Sequence, residues 1–154
     1  MRLSDLLTVE RVSVSLSADS KDGALDALAV LLAHGAPNVT AEQIARVLKD
    51  RERLASTGVG DEVAIPHGRL PGLQRVVGAV AICAGGLPFD AIDGRPVKIF
   101  VAILAPDRAP GEQLRALARV SKLLRDRSMR ERMLTAATPA ELLALFQDDE
   151  AAQP

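Results

Sequence analysis

The spacing of apolar and polar residues changes several times along the chain, and each change marks an element. Over residues 12–17, Val12, Val14 and Leu16 alternate with Ser13, Ser15 and Ser17, the period of two expected of a half-buried strand. From Ser20 to Ala33 the residues Ala24, Leu25, Leu28, Leu31 and Leu32 recur on one helical face, and Gly35 and Pro37 end the run. His34 falls in the last turn, where capping the carbonyl end is a sufficient role. Thr40 and Gln43 have capping-box spacing ahead of Ile44, Val47 and Leu48, so a second helix is expected to run into Arg51.

Residues 76–82 and, apart from Lys98, residues 97–104 are continuous apolar runs, the length and pattern of strands buried on both faces. Between them, Asp93-Gly94 is a hairpin signal that favours pairing of the two runs. Asp90 and Asp93 read as turn formers whose side chains bond their own backbone. Ala105-Pro106-Asp107 stops the second run, helical spacing resumes over residues 111–127 through Leu114, Leu117, Ser121 and Leu124, and a shorter segment covers 129–137. Thr138, Pro139 and Glu141 combine an N-cap, a first-turn proline and a capping-box glutamate ahead of a last helix through Phe146. The elements imply an α/β fold, a single domain over residues 1–147 with a small mixed β-sheet flanked by helices. Residues 148–154 are acidic and expected to be a disordered tail.

Composition narrows the possible chemistry. The chain has no Trp, no Tyr and only three Phe, so it lacks the aromatic platforms on which single-stranded nucleic acid stacks. Its net charge of −1 offers no basic excess for a phosphate backbone, and nucleic acid is not an expected partner. The single cysteine, Cys83, lies beside an apolar run and reads as a core residue, excluding an internal disulfide or a cysteine-based zinc site. No apolar stretch reaches eighteen residues and no leader precedes the domain, so no direct membrane insertion and a cytoplasmic location are expected. Neither GxGxxG nor GxxxxGK[ST] occurs, and Ser56 lacks a GxSxG setting.

Chemistry concentrates in residues 51–70, RERLASTGVGDEVAIPHGRL. His67 stands between Pro66 and Gly68, a setting that fixes the backbone and presents the imidazole. A neutral imidazole is a nucleophile near neutral pH and a natural covalent acceptor. Upstream, Ser56, Thr57, Gly58 and Gly60 offer hydroxyls and amides for an anion pocket, and Arg51 offers a guanidinium fork matched to phosphate oxygens. Arg53, Asp61 and Glu62 are expected on the solvated surface. Two separated histidines and scattered carboxylates give no metal-ligand set, so no metal is expected.

The run STGVGDEVAIPHG at residues 56–68 resembles the active-site signature of the fructose/mannitol-type enzyme IIA domains of the bacterial phosphotransferase system. The opening LSDLL, Arg51-Glu52, FDAIDGRPV at residues 89–97 and the AP after the last strand match in the same order. A free-standing chain with FDAIDGRPV is most similar to the nitrogen-related branch. The resemblance implies that His67 accepts a phosphoryl group from an HPr-like phosphocarrier protein, that Arg51 holds phosphate oxygens, and that no cofactor is needed. It implies as further partner either a downstream regulated protein or a sugar-specific IIB domain. Thr57, Gly58, Gly60 and Gln113 are the expected phosphate-binding residues, Gln113 standing where many members carry a second histidine. An alternative implied by that exchange is a module impaired in transfer that regulates a partner by binding.

Overall fold

A computed structural model describes residues 1–152. Five helices, α1 (Lys21–Ala33), α2 (Ala41–Leu54), α3 (Pro110–Leu124), α4 (Arg127–Thr135) and α5 (Pro139–Ala151), cover both faces of a mixed sheet. Its strands are β1 (Val12–Ser13), β2 (Gly58–Gly60), β3 (Val63–Ala64), β4 (His67–Leu70), β5 (Val77–Leu87) and β6 (Val97–Pro106). The order is β1-β5-β6-β3-β2, with β4 also pairing with β6.

The two apolar runs form the antiparallel pair β5–β6, and alternation within them sorts the two cores. Ala79, Ala81, Cys83, Ala102 and Leu104 face one way and pack with Ala24, Leu28 and Leu32 of α1 and Ile44 and Leu48 of α2. Val80, Ile82, Ile99, Val101 and Ile103 face the other way, against Val120, Met129, Leu142 and Phe146 of α3, α4 and α5. Apart from Phe100 and Leu104, the mid-strand residues on the first face are small and let α1 and α2 lie close, while branched residues on the other fill the space under three helices. Cys83 is buried and unpaired.

The expected caps form at Thr40 and Thr138, and Ser20 caps the first helix as well. Ser20 accepts from the Gly23 amide, Thr40 and Gln43 form a reciprocal capping box, and Thr138 accepts from Glu141. His34 is the C-cap of α1.

Two expectations are corrected. The first strand shrinks to Val12–Ser13 because the Ser15 amide turns back to the Ser13 hydroxyl at 3.3 Å, the local competition by which serine leaves a ladder. The acidic end is helical through Ala151, so residues 148–151 are not a disordered tail; a Glu150 carboxylate oxygen accepts the Ser4 amide at 2.9 Å and anchors the last turn. Gln153 and Pro154, the rest of that tail, lie outside the described residues.

Candidate functional site

The segment from Gly58 to Leu70 is a chain of short strands on one edge of β6. β2 and β3 form a tight hairpin whose turn residues Asp61 and Glu62 both have positive φ, 56° and 67°, the backbone of a type I′ turn. β3 and β4 then lie end to end along β6, Val63 opposite Ile99 and His67 opposite Ile103. Pro66, between them, has no amide to donate, but its carbonyl accepts from Ile103 at 3.0 Å. The outer strand β2 ends level with β3, so β4 is left as an edge, and His67 is its first residue.

Both helical layers reach past this edge. Val47 of α2 presses on Gly68 so closely that a Cβ there would lie 2.3 Å from its Cγ1. From α3, the buried Gln113 donates Nε2–H to the Gly68 carbonyl at 2.7 Å. Gly68 is therefore glycine for packing, and His67 sits in the mouth between the end of α2 and the start of α3. α3 opens with Pro110 and no side-chain cap, which leaves its first amides and the positive end of its dipole free to face an anion.

His67 Nδ1 lies 2.9 Å from the Ile65 carbonyl oxygen. A carbonyl only accepts, so this bond puts the proton on Nδ1 and leaves the Nε2 lone pair bare. Burial pushes the His67 pKa down from its ordinary 6.5; the Ile65 bond and the Glu52 charge oppose this and the Arg51 charge adds to it. The balance keeps the ring neutral, the state a nucleophile requires.

Arg51, in the last turn of α2, donates Nη1–H to the Ala55 carbonyl at 3.0 Å and is close enough for His67 to feel its charge. Arg53 pairs with Asp50 on the exposed side of the helix. Glu62 turns away to Arg95 and Lys98, at 3.4 and 3.1 Å, and Asp61 lines a separate pocket with Arg95, Arg127 and Arg130, so neither acid of the turn competes for the mouth.

The small-residue loop behaves differently from its sequence reading. The Thr57 amide and hydroxyl, expected at a phosphoryl group, both go to the Glu52 carboxylate, at 3.0 and 2.6 Å. The Gly58 amide goes to the Ser56 hydroxyl at 3.0 Å, and a Cβ on Gly58 would meet the Ala91 Cα at 2.8 Å. Gly60 pairs with Val63, whose partner Ile99 is four residues along β6 from Ile103 opposite His67, which sets Gly60 about 13 Å away along the sheet. Of the six expected residues, His67, Arg51 and Gln113 lie at the mouth, while the amides of Thr57 and Gly58 are taken up within their own segment and Gly60 lies apart along the sheet.

Sequence reasoning missed Glu52 and Lys21. Glu52 is 7% exposed and, besides Thr57, receives Lys21 Nζ at 2.9 Å. Lys21 also reaches Asp90 at 3.3 Å and stands 5.1 Å from the centre of the Phe89 ring. Burial works against the Lys21 charge, but its bond to Glu52 prevails and raises its pKa. The one available signal was an acidic residue in the last turn of α2, where the helix dipole disfavours it.

Fold and site define a class of protein: a mixed α/β domain that presents a single neutral histidine at a sheet edge, between an arginine and a helix N-terminus. The chain belongs to the family described as "Phosphoenolpyruvate-dependent sugar phosphotransferase system, EIIA 2", whose profile matches residues 5–149. It is 36% identical over 148 residues to a nitrogen regulatory protein of Pseudomonas aeruginosa, covering 96% of each chain. Among solved structures it resembles nitrogen regulatory protein IIA-Ntr of Neisseria meningitidis, with a TM-score of 0.87, 30% identity and coverage of 94% of this chain and 98% of that one. Mannitol IIA of Escherichia coli shares the fold at a TM-score of 0.76 and 22% identity, with 91% and 98% of the two chains covered. The protein is thus a phosphotransferase-system IIA domain similar to nitrogen regulatory proteins. Among the described residues, no helix is long and apolar enough to cross a membrane, and no three His, Cys, Asp or Glu side chains gather as a metal site.

Proposed function

We propose that His67 Nε2 accepts a phosphoryl group from the phosphohistidine of an HPr-like carrier protein, and that the phosphorylated and free forms act mainly as regulatory states of a nitrogen-related phosphotransferase system. The observation that carries this reading is the Nδ1–H···O=C bond to Ile65, which leaves Nε2 as the free nucleophilic atom.

In the transfer, the Nε2 lone pair forms the new N–P bond in line as the donor's P–N bond breaks, and that bonding pair returns to the donor imidazole nitrogen. The ring keeps its Nδ1 proton, and the positive charge it then carries faces the Ile65 carbonyl. Arg51 holds phosphoryl oxygens, and the second Nε2 hydrogen of Gln113 and the first amides of α3 donate to them. Positioning and charge stabilisation are what such a transfer asks of a protein. The similarity to nitrogen regulatory proteins supports the regulatory output.

Incubation with a phosphorylated HPr-like donor, followed by intact mass measurement, tests the proposal. An acid-labile gain of one phosphoryl group is expected for the wild type and none for His67→Ala; labelling that survives the substitution overturns the assignment. Gln113 favours a second reading. An amide cannot become the cation that a histidine there supplies, so the domain would regulate a partner by binding, with little transfer. In that case the donor assay is negative while a partner is still recovered from pull-downs. A IIA component that feeds a sugar-specific IIB is distinguished by onward transfer to that IIB.

A further inference from the structure

The deepest charged group near His67 is one that the transfer itself does not use. Glu52 is buried at the end of α2, and both its oxygens are bonded: Thr57 N at 3.0 Å, Thr57 Oγ1 at 2.6 Å and Lys21 Nζ at 2.9 Å. The loop pinned in this way continues toward the histidine. The Thr57 carbonyl accepts the Ile65 amide at 2.9 Å, and the Ile65 carbonyl holds His67 Nδ1 at 2.9 Å. An unbroken series of hydrogen bonds therefore runs from Lys21 on α1 through Glu52 on α2 and the Thr57–Ile65 backbone bond just beyond β2 and β3 to the imidazole.

We propose that Glu52, neutralised by Lys21, is the positioning residue for His67: it fixes Thr57 where the strand pairing sets the Ile65 carbonyl and so the ring orientation and tautomer. The proposal rests on the reading of His67 as the phosphoryl acceptor. Two features separate this role from simple loop anchoring. Thr57 offers two donors, and a neutral acceptor would serve them; the carboxylate buried here, its desolvation offset by Lys21 at 2.9 Å, adds a charge on the side of the imidazole. The carboxylate is also near enough to act on the imidazole, in the direction opposite to Arg51. Lys21 is then required, because an uncompensated carboxylate behind the site would repel an incoming phosphoryl dianion. Besides Glu52, the charge that acts on the imidazole is that of Arg51; the side chains that meet Gly68, Val47 from α2 and Gln113 from α3, are uncharged.

Glu52→Gln and Lys21→Met push the site in opposite directions, which a general loosening of the loop does not. Glu52→Gln removes the negative charge and sets an amide N–H against the Lys21 ammonium; the His67 pKa falls, and the ring nitrogens read by 15N NMR shift toward a mixture of tautomers. Lys21→Met, at a partly exposed position, leaves the carboxylate unopposed; the His67 pKa rises. Both variants lose roughly tenfold or more in the rate of phosphoryl uptake, since misplacing a reacting group by about 1 Å costs on the order of 100-fold, and Lys21→Arg restores it. Wild-type pKa and tautomer in Glu52→Gln, with only its melting temperature lowered, would reduce Glu52 to a structural residue. Where Glu52→Gln does not fold, an unchanged His67 pKa in Lys21→Met overturns the proposal equally. The titrations use unphosphorylated protein, so a wild type that accepts no phosphoryl group would refute the proposed function and leave this inference to be decided by the NMR data alone.

Discussion

Two connections in this molecule carry positive φ angles, residues 55–66 before His67 and residues 88–96 between β5 and β6, and although they bond to each other their anchors differ in depth. The turn of the 88–96 connection is held at the exposed surface. Asp93 accepts the amides of Arg95 and Asp61, each at 3.1 Å, on the exposed surface, and Gly94 supplies the turn with φ 72°. The 55–66 connection is fixed from outside itself, by Glu52 and Lys21 on two helices, by the Phe89 carbonyl bonded to Ser56 at 2.9 Å, and by Ala91 against Gly58. A turn that only reverses the chain can be held by bonds at the surface. A segment that must place one imidazole is tied to several elements, so that the ring cannot move without moving the fold.

Glu52→Ala tests this contrast with the largest expected effect. It leaves the Thr57 amide and hydroxyl without their acceptor and the Lys21 ammonium partly buried beside a cavity; loss of one member of such a pair costs about 3 kcal/mol. The matching Asp93→Ala removes bonds at the exposed surface, and its urea midpoint is expected to shift by much less. Equal shifts for the two variants would break the comparison.

Gly68→Ala follows in size. The new methyl must displace Val47 Cγ1, which lies only 2.3 Å from its position, and Val47 is a β-branched residue on a helix with little rotamer freedom. Overpacking of this kind costs about 2 kcal/mol and moves α2, and Arg51 with it, relative to β4. Phosphoryl uptake should therefore fall in the folded variant, and Val47→Ala in the same chain should restore much of both stability and uptake. A double variant no better than Gly68→Ala would show that the glycine serves something other than this contact.

The same contrast explains what could be read in the sequence. Helix starts at Ser20, Thr40 and Thr138 were legible because each cap and its partner lie within four residues. The β5–β6 pair was legible because its strands are long and apolar on both faces. His67 and Arg51 were legible from residue chemistry and from the family resemblance of their segment. The β2–β3 hairpin was not, because its turn uses Asp61 and Glu62 where glycine or asparagine is the usual signal, and two- or three-residue strands have no period to detect. The donors of Thr57 and Gly58 looked free because the groups that accept them are not evident from spacing: Glu52 acts from a helix and Ser56 folds back on its own loop. Lys21 is thirty-one residues from Glu52 along the chain, and no local pattern announces a pair closed only by the packing of α1 on α2.

The smallest expected effect concerns pH, and it asks whether the imidazole is held as firmly as its loop. Burial, with Arg51 adding to it, lowers the His67 pKa in the folded protein below the ordinary 6.5, which is about the value in the unfolded chain. Between the two values the unfolded chain binds more protons, so stability rises with pH. The contribution is complete above about pH 6.5 and is lost as pH falls through the folded value. His67→Gln removes that dependence, while His34 and every carboxylate are common to both proteins and cancel in the difference. Urea midpoints of wild type and His67→Gln should therefore run parallel above about pH 6.5 and converge or cross as the pH is lowered below it, the wild type losing more. Curves that stay parallel would mean that the ring meets protons in the folded state as easily as in the unfolded chain, and that the loop, though pinned at Glu52, leaves its histidine open to solvent.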